Sequence, residues 1–202
     1  MILLFLISLI ALICIHETAH LITAKLCKCK VIKYSLGFGK FGFEIKINKT
    51  IYKITPFLLG GYCELEGELD FSKSPTAFMN LRYYKKLLIA ISGCLVNIIF
   101  GILMCLLSLK INNYYLWYIG FFNLLAGMSN LIPVPGLDGS YPILVLLEKF
   151  IGKKKSIIIL KKLITIFIRI FTILNIIILP WFVIKGIPMI NNLFQLYWSS
   201  IK

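Results

Sequence analysis

The chain has 202 residues, with 22 Lys and Arg against 8 Asp and Glu and a net charge of +14. Counting glycine and leaving out tyrosine, roughly 61% of the residues are apolar, against about 45–50% in soluble domains. This excludes a disordered chain, a disulfide-knit secreted module and an ordinary soluble enzyme, and points to a compact integral membrane protein. It also makes each acid and both histidines worth locating, because polar groups in lipid are costly and tend to be functional.

Residues 2–24 are apolar except for a polar cluster at His16–His20, and are long enough to span a bilayer. No Lys or Arg precedes this run and no small-residue cleavage site closes it, so it is expected to be an anchor and not a cleaved leader. Residues 25–86 hold 12 of the 22 basic residues. Within them the segment 31–65 changes character. Phe41, Phe43, Ile45 and Ile47 alternate with Gly42, Glu44 and Lys46, a period of two that predicts strand, and Asn48-Lys49-Thr50 is a turn signal. A small β-sheet at the membrane edge is expected there. Gly37, Gly39 and Gly42 do not make a phosphate loop, since no G-K-[ST] follows them. Spans are expected at 87–109 and 114–132, the second opened by the aromatic belt Tyr114, Tyr115, Trp117 and Tyr118. The Pro/Gly turn PVPGLDGS follows, then a basic stretch at 141–162, then a span at 163–184 interrupted only by Arg169. The end, broken by Pro188, reads as an interfacial helix carrying Tyr197 and Trp198.

The basic residues flank apolar runs and form no nucleic-acid motif, so they set topology and imply no nucleic-acid partner. With the N-terminus outside, both basic stretches face the cytoplasm. His16–His20 and Asp138 then lie at the same, cytoplasmic, end of the bundle. The expected architecture is an all-α polytopic membrane protein. Residues 1–150 form a three-helix catalytic core with the small sheet between its first two helices. Residues 151–202 add one or two C-terminal helices.

Both histidines fall in His16-Glu17-Thr18-Ala19-His20, an H-E-x-x-H pattern on a predicted helix. Spacing of four residues puts the imidazoles on one face, able to grip one Zn²⁺, and Glu17 beside the first ligand can take a proton from an attacking water. A catalytic zinc wants a third protein ligand, and no third histidine exists. Glu44, Glu64, Glu66, Glu68 and Asp70 lie in the cytoplasmic loop, most of them in a solvated acidic run, and Glu148 stands beside Lys149. Asp138 is set in an otherwise apolar turn. It reads either as the third ligand or as a cap for the helix beginning near Gly139. Cys27 and Cys29 form a C-x-C, a spacing unusual for zinc, and the six cysteines read as structural or incidental.

HETAH in a first span, with NLIPVPGLDG after a later one, resembles the site-2 protease family of intramembrane zinc metalloproteases. Ser92-Gly93-Cys94-Leu95-Val96-Asn97 and the PFLLGGY stretch at 56–62 are similar to that family's middle-span element and sheet loop. The resemblance implies one catalytic Zn²⁺ held by His16, His20 and Asp138, Glu17 as acid/base, and Asn130 or Asn97 as helpers that position substrate or stabilise the oxyanion. It implies cleavage of a membrane-tethered protein near the cytoplasmic face of a bacterial cell membrane. A sheet edge would receive the extended substrate, and a regulatory membrane protein would be a partner besides the lipid bilayer. Within the family the chain is most similar to the sporulation members that process a sigma-factor precursor, without their CBS domain and with no room at 110–113 for a PDZ domain. The competing expectations are a non-proteolytic metal-binding membrane protein and a pseudoprotease scaffold.

Overall fold

A computed structural model describes residues 2–68, 70 and 72–181. Helix α1 (Ile2–Leu26) leads into four strands, β1 (Val31–Phe38), β2 (Phe43–Ile47), β3 (Thr50–Ile54) and β4 (Phe57–Leu65). Helices α2 (Tyr83–Ile111), α3 (Tyr114–Asn130), α4 (Ser140–Ile151) and α5 (Lys153–Trp181) follow. The chain divides into two compact units, 1–160 and 161–202. The first holds the sheet and every residue of the candidate site. The described part of the second is the remainder of α5. The expected interfacial tail with Tyr197 and Trp198 lies outside the described residues.

The strands occupy the segment whose residues alternate. The sheet is mixed, in the order β2-β3-β1-β4, with β1 parallel to β3 and antiparallel to β4. The Asn48-Lys49 turn joins β2 to β3 as a two-residue hairpin, with Asn48 at φ 54°. Strand β4 is an edge, paired on one side only, and it packs on α1.

Helices α2 and α3 form a tight hairpin. Asn112 closes α2 in the left-handed region, and Asn113 caps α3 by accepting from the N–H groups of Tyr115 and Leu116. A Cβ on Gly101 would meet the Gly120 carbonyl at 2.8 Å, so glycines set this close approach. Two described helices are long and apolar enough to cross a membrane, at Ile7–Leu26 and Tyr83–Ile111. The expected third span is a 17-residue helix, about 26 Å long and short of a bilayer core of about 30 Å. The basic stretch at 141–162 forms two helices, because Gly152 at φ 80° separates α4 from α5. A buried Lys86–Glu148 pair at 2.5 Å ties α2 to α4.

Candidate metal centre and active site

The four-residue spacing on α1 places the His16 and His20 rings edge to face, with centroids 4.8 Å apart. Their Nε2 atoms are 3.2 Å apart. Asp138 Oδ2 completes a triangle, 3.0 Å from His16 Nε2 and 3.2 Å from His20 Nε2. The prolines of the 131–139 loop end α3, and a Gly139 N–H bond to the Asn130 carbonyl (2.8 Å) closes the loop. Gly139 stands at the N-cap of α4, which receives no side-chain cap bond. The Asp138 carboxylate thus faces the histidines and is not a cap.

Two features fit the triangle to a divalent cation. First, a tetrahedral zinc with bonds of about 2.0–2.1 Å separates its ligands by roughly 3.3–3.4 Å, close to the three distances found, and two imidazoles with a carboxylate form a known zinc donor set. Second, the far nitrogens are tied off. His20 Nδ1 donates to the Ile89 carbonyl at 2.8 Å, which leaves the Nε2 lone pair aimed into the triangle. Ser92 Oγ lies 3.3 Å from the same Nδ1. Gly93 gives the centre its room. A Cβ there would lie 2.7 and 2.8 Å from His16 Cε1 and Nε2, and closer still to His20 Nε2.

Asn97 is fully buried on α2, with its amide nitrogen 3.3 Å from His16 Nδ1 and its Oδ1 without a partner. Turning the amide by a half rotation places Oδ1 against Nδ1. The orphaned acceptor then receives the Nδ1 proton, and His16 Nε2 is left as a lone-pair donor, matching His20. Asn97→Leu removes that acceptor and is expected to weaken zinc binding about 10–100-fold. Asn97→Asp, which keeps an acceptor, should retain most of it. Competition with a chelator of known affinity measures both.

A cavity of about 300 Å³ opens beside the triangle, walled by Glu17, Gly61, Glu68, Asn130 and Tyr141 among others. Among the described residues the Glu17 carboxylate has no hydrogen-bond or ion-pair partner, although the side chain is buried. Edge strand β4 comes close, since a Cβ on Gly61 would be 2.7 Å from Glu17 Cγ. Asn130 lines this cavity, whereas Asn97 lies behind His16 and does not. Glu68 leaves the acidic run that composition marks as solvated. It accepts from the Tyr141 hydroxyl and from the Leu65 N–H, and burial pushes both its carboxyl and the Tyr141 phenol up. Nothing in the sequence pattern singles out Glu68 or Tyr141, because the loop and helix that bring them together are distant in the chain.

The cysteine pair at 27 and 29 is buried. Burial pushes the Cys29 thiol up to about 12 and the Cys27 thiol in the same direction, which disfavours the thiolate. Among the described residues the one candidate metal group is His16, His20 and Asp138.

The profile of peptidase family M50 matches residues 4–114, over half of the chain. The chain belongs to peptidase family M50, the site-2 protease family, whose members are membrane proteins. A provisionally named zinc metalloprotease of Borreliella burgdorferi is 41% identical over 100 residues, covering 45% of this chain and 23% of that protein. A counterpart in Helicobacter pylori is 30% identical over 132 residues, covering 62% and 33%. The solved site-2 protease from Methanocaldococcus jannaschii is 26% identical, covers 76% of this chain and 58% of that one, and has a TM-score of 0.46. The chain spans about a fifth to a third of the curated relatives it matches.

Proposed function

We propose that the chain is a zinc-dependent endopeptidase that cleaves a membrane-embedded or membrane-tethered protein. The observation that carries this is the convergence of His16 Nε2, His20 Nε2 and Asp138 Oδ2 beside a cavity walled by Glu17. These three residues would hold the ion. When bound, zinc supplies Lewis acidity that activates water and polarises a carbonyl. Glu17 takes the proton of the attacking water, holds it, and returns it to the leaving amine nitrogen. The Asn130 side chain, on the cavity wall, donates to the oxygen on which negative charge develops. Asn97 and the Ile89 carbonyl keep the two imidazoles in the tautomer that ligates.

The peptide must reach the centre extended, because helical carbonyls are shielded by their own hydrogen bonds. Edge strand β4, in contact with Glu17, is the surface on which it adds. Proline introduced in turn at Gly60, Gly61, Tyr62 and Cys63 should lower cleavage at the alternate positions whose N–H faces outward, without releasing zinc. Uniform wild-type cleavage would count against strand addition. For topology we propose a multi-pass bacterial membrane protein with the N-terminus outside and the site near the cytoplasmic face, as the 18 basic residues of 25–86 and 141–162 imply. The resemblance to sporulation members directs the first substrate trial to membrane-tethered sigma-factor precursors. Co-expression of such precursors with the full chain, scored for release of the soluble fragment and for one zinc per purified chain, tests the reading. A chain with no bound zinc would sink it.

A further inference from the structure

A second cavity, of about 630 Å³, lies at the C-terminal end of α1 beside the β2–β3 turn, and shares no lining residue with the cavity at the metal triangle. Lys25, Lys28, Lys30 and Lys49 line it, and no acidic residue does. Lys30 is offset by Glu66 at 3.4 Å. Lys25 meets the neutral Tyr52 side chain, its hydroxyl at 2.6 Å and its ring at 5.4 Å from the centroid, and no acid. The Lys28 and Lys49 ammonium groups have no hydrogen-bond or ion-pair partner among the described residues. Three lysines without an acidic partner among the described residues therefore line one hollow.

Lys28 also occupies a place that favours glycine. The Lys28 N–H bonds to the Lys25 carbonyl (3.0 Å) and the Cys29 N–H to the Ala24 carbonyl (2.8 Å), a Schellman closure of α1. Its φ is 61°, a left-handed conformation that is costly with a side chain. A lysine held there at a backbone cost suggests that its charge is used.

An exposed apolar surface continues from the hollow. Phe43, Ile45 and Ile47 alternate along β2 and so share one face, and Tyr52 joins it as the register partner of Ile45. Phe43 is 69% exposed and Ile47 54%, and Leu26, between the lysines, is 77% exposed. Ile47 and Tyr52 also line the hollow. Basic groups beside bare aliphatic and aromatic side chains, at the end of a helix able to cross a membrane, match the two halves of one ligand. We propose that this cavity binds the phosphate headgroup of an anionic membrane lipid, whose acyl chains lie along Phe43, Ile45 and Ile47. The assignment uses the chain's membership of a membrane-protein family and does not depend on the peptidase reading.

The test is equilibrium binding to the full chain in an uncharged detergent, with short-chain phosphatidylglycerol, short-chain phosphatidylcholine and inorganic phosphate as probes. Wild type should bind phosphatidylglycerol in preference to phosphatidylcholine. Each lysine removed should cost about fivefold, and Lys25→Gln/Lys28→Gln/Lys49→Gln together about a hundredfold. The control Lys153→Gln/Lys154→Gln/Lys155→Gln removes the same charge elsewhere and should bind as wild type. Lys28→Gly separates function from folding, because glycine suits the left-handed position. It should raise the melting temperature while still losing about fivefold in binding. Equal losses in the control triple variant would overturn the site. Unchanged binding in the Lys25/Lys28/Lys49 variant would do the same. Inorganic phosphate binding as tightly as phosphatidylglycerol would overturn the lipid assignment.

Discussion

Glu17→Gln is expected to lower cleavage about 10²–10⁴-fold while leaving zinc content at the wild-type level. Glutamine keeps the size of the side chain in a buried wall of the cavity and removes only its ability to take a proton. The carboxylate has no partner among the described residues, so its loss strands no donor, and the fold should be indifferent. Glu17 is not one of the three converging donors, so the metal should stay. The paired measurement is metal analysis and cleavage on the same preparation. Full proteolysis by the variant would refute the role given to Glu17. Joint loss of zinc and cleavage would make it a structural or ligating group instead.

The second large effect is expected at a residue with no side chain. Gly93→Ala should abolish stoichiometric zinc binding, and cleavage with it, at least as completely as Asp138→Ala. The added methyl would stand within 3 Å of ring atoms of both histidines, at the point where their Nε2 atoms meet. Neither ring can retreat cheaply. His20 is held from behind by the Ile89 carbonyl and His16 by Asn97. The two variants differ in a useful way. Asp138→Ala opens space and removes one of the three proposed ligands, so a histidine pair remains that could hold metal weakly. Gly93→Ala keeps every ligand and closes the space. Metal titration at equal protein concentration tests both, and wild-type zinc stoichiometry in Gly93→Ala would show that the centre is not where the three donors converge.

Much of the site is legible along the chain because its parts carry local signals. Two histidines four residues apart need only the pitch of a helix to share a face. The sheet was legible from the alternation around Phe43–Ile47, and its outer limits match the expected 31–65 segment. Other features were not legible. The division of 141–162 into two helices turns on Gly152, whose positive φ no periodicity reveals. The third apolar run is long enough in composition, yet the helix stops at Asn130 because the proline loop cannot continue it.

The sequence by itself determined the membrane class, the H-E-x-x-H helix, the edge sheet and the scarcity of other candidate ligands, since composition, pitch and alternation are local properties. Only the tertiary structure placed the Asp138 carboxylate against the two histidines and away from the helix that follows it, because a carboxylate before a helix can cap it or turn away, and the contact it makes lies 118 residues upstream. Only the tertiary structure also brought Glu68 to Tyr141, placed Asn97 behind a histidine and outside the cavity, and gathered scattered lysines into one hollow. Those are meetings between distant segments, and they are set by how helices and strands pack, not by the residues that neighbour each other in the chain.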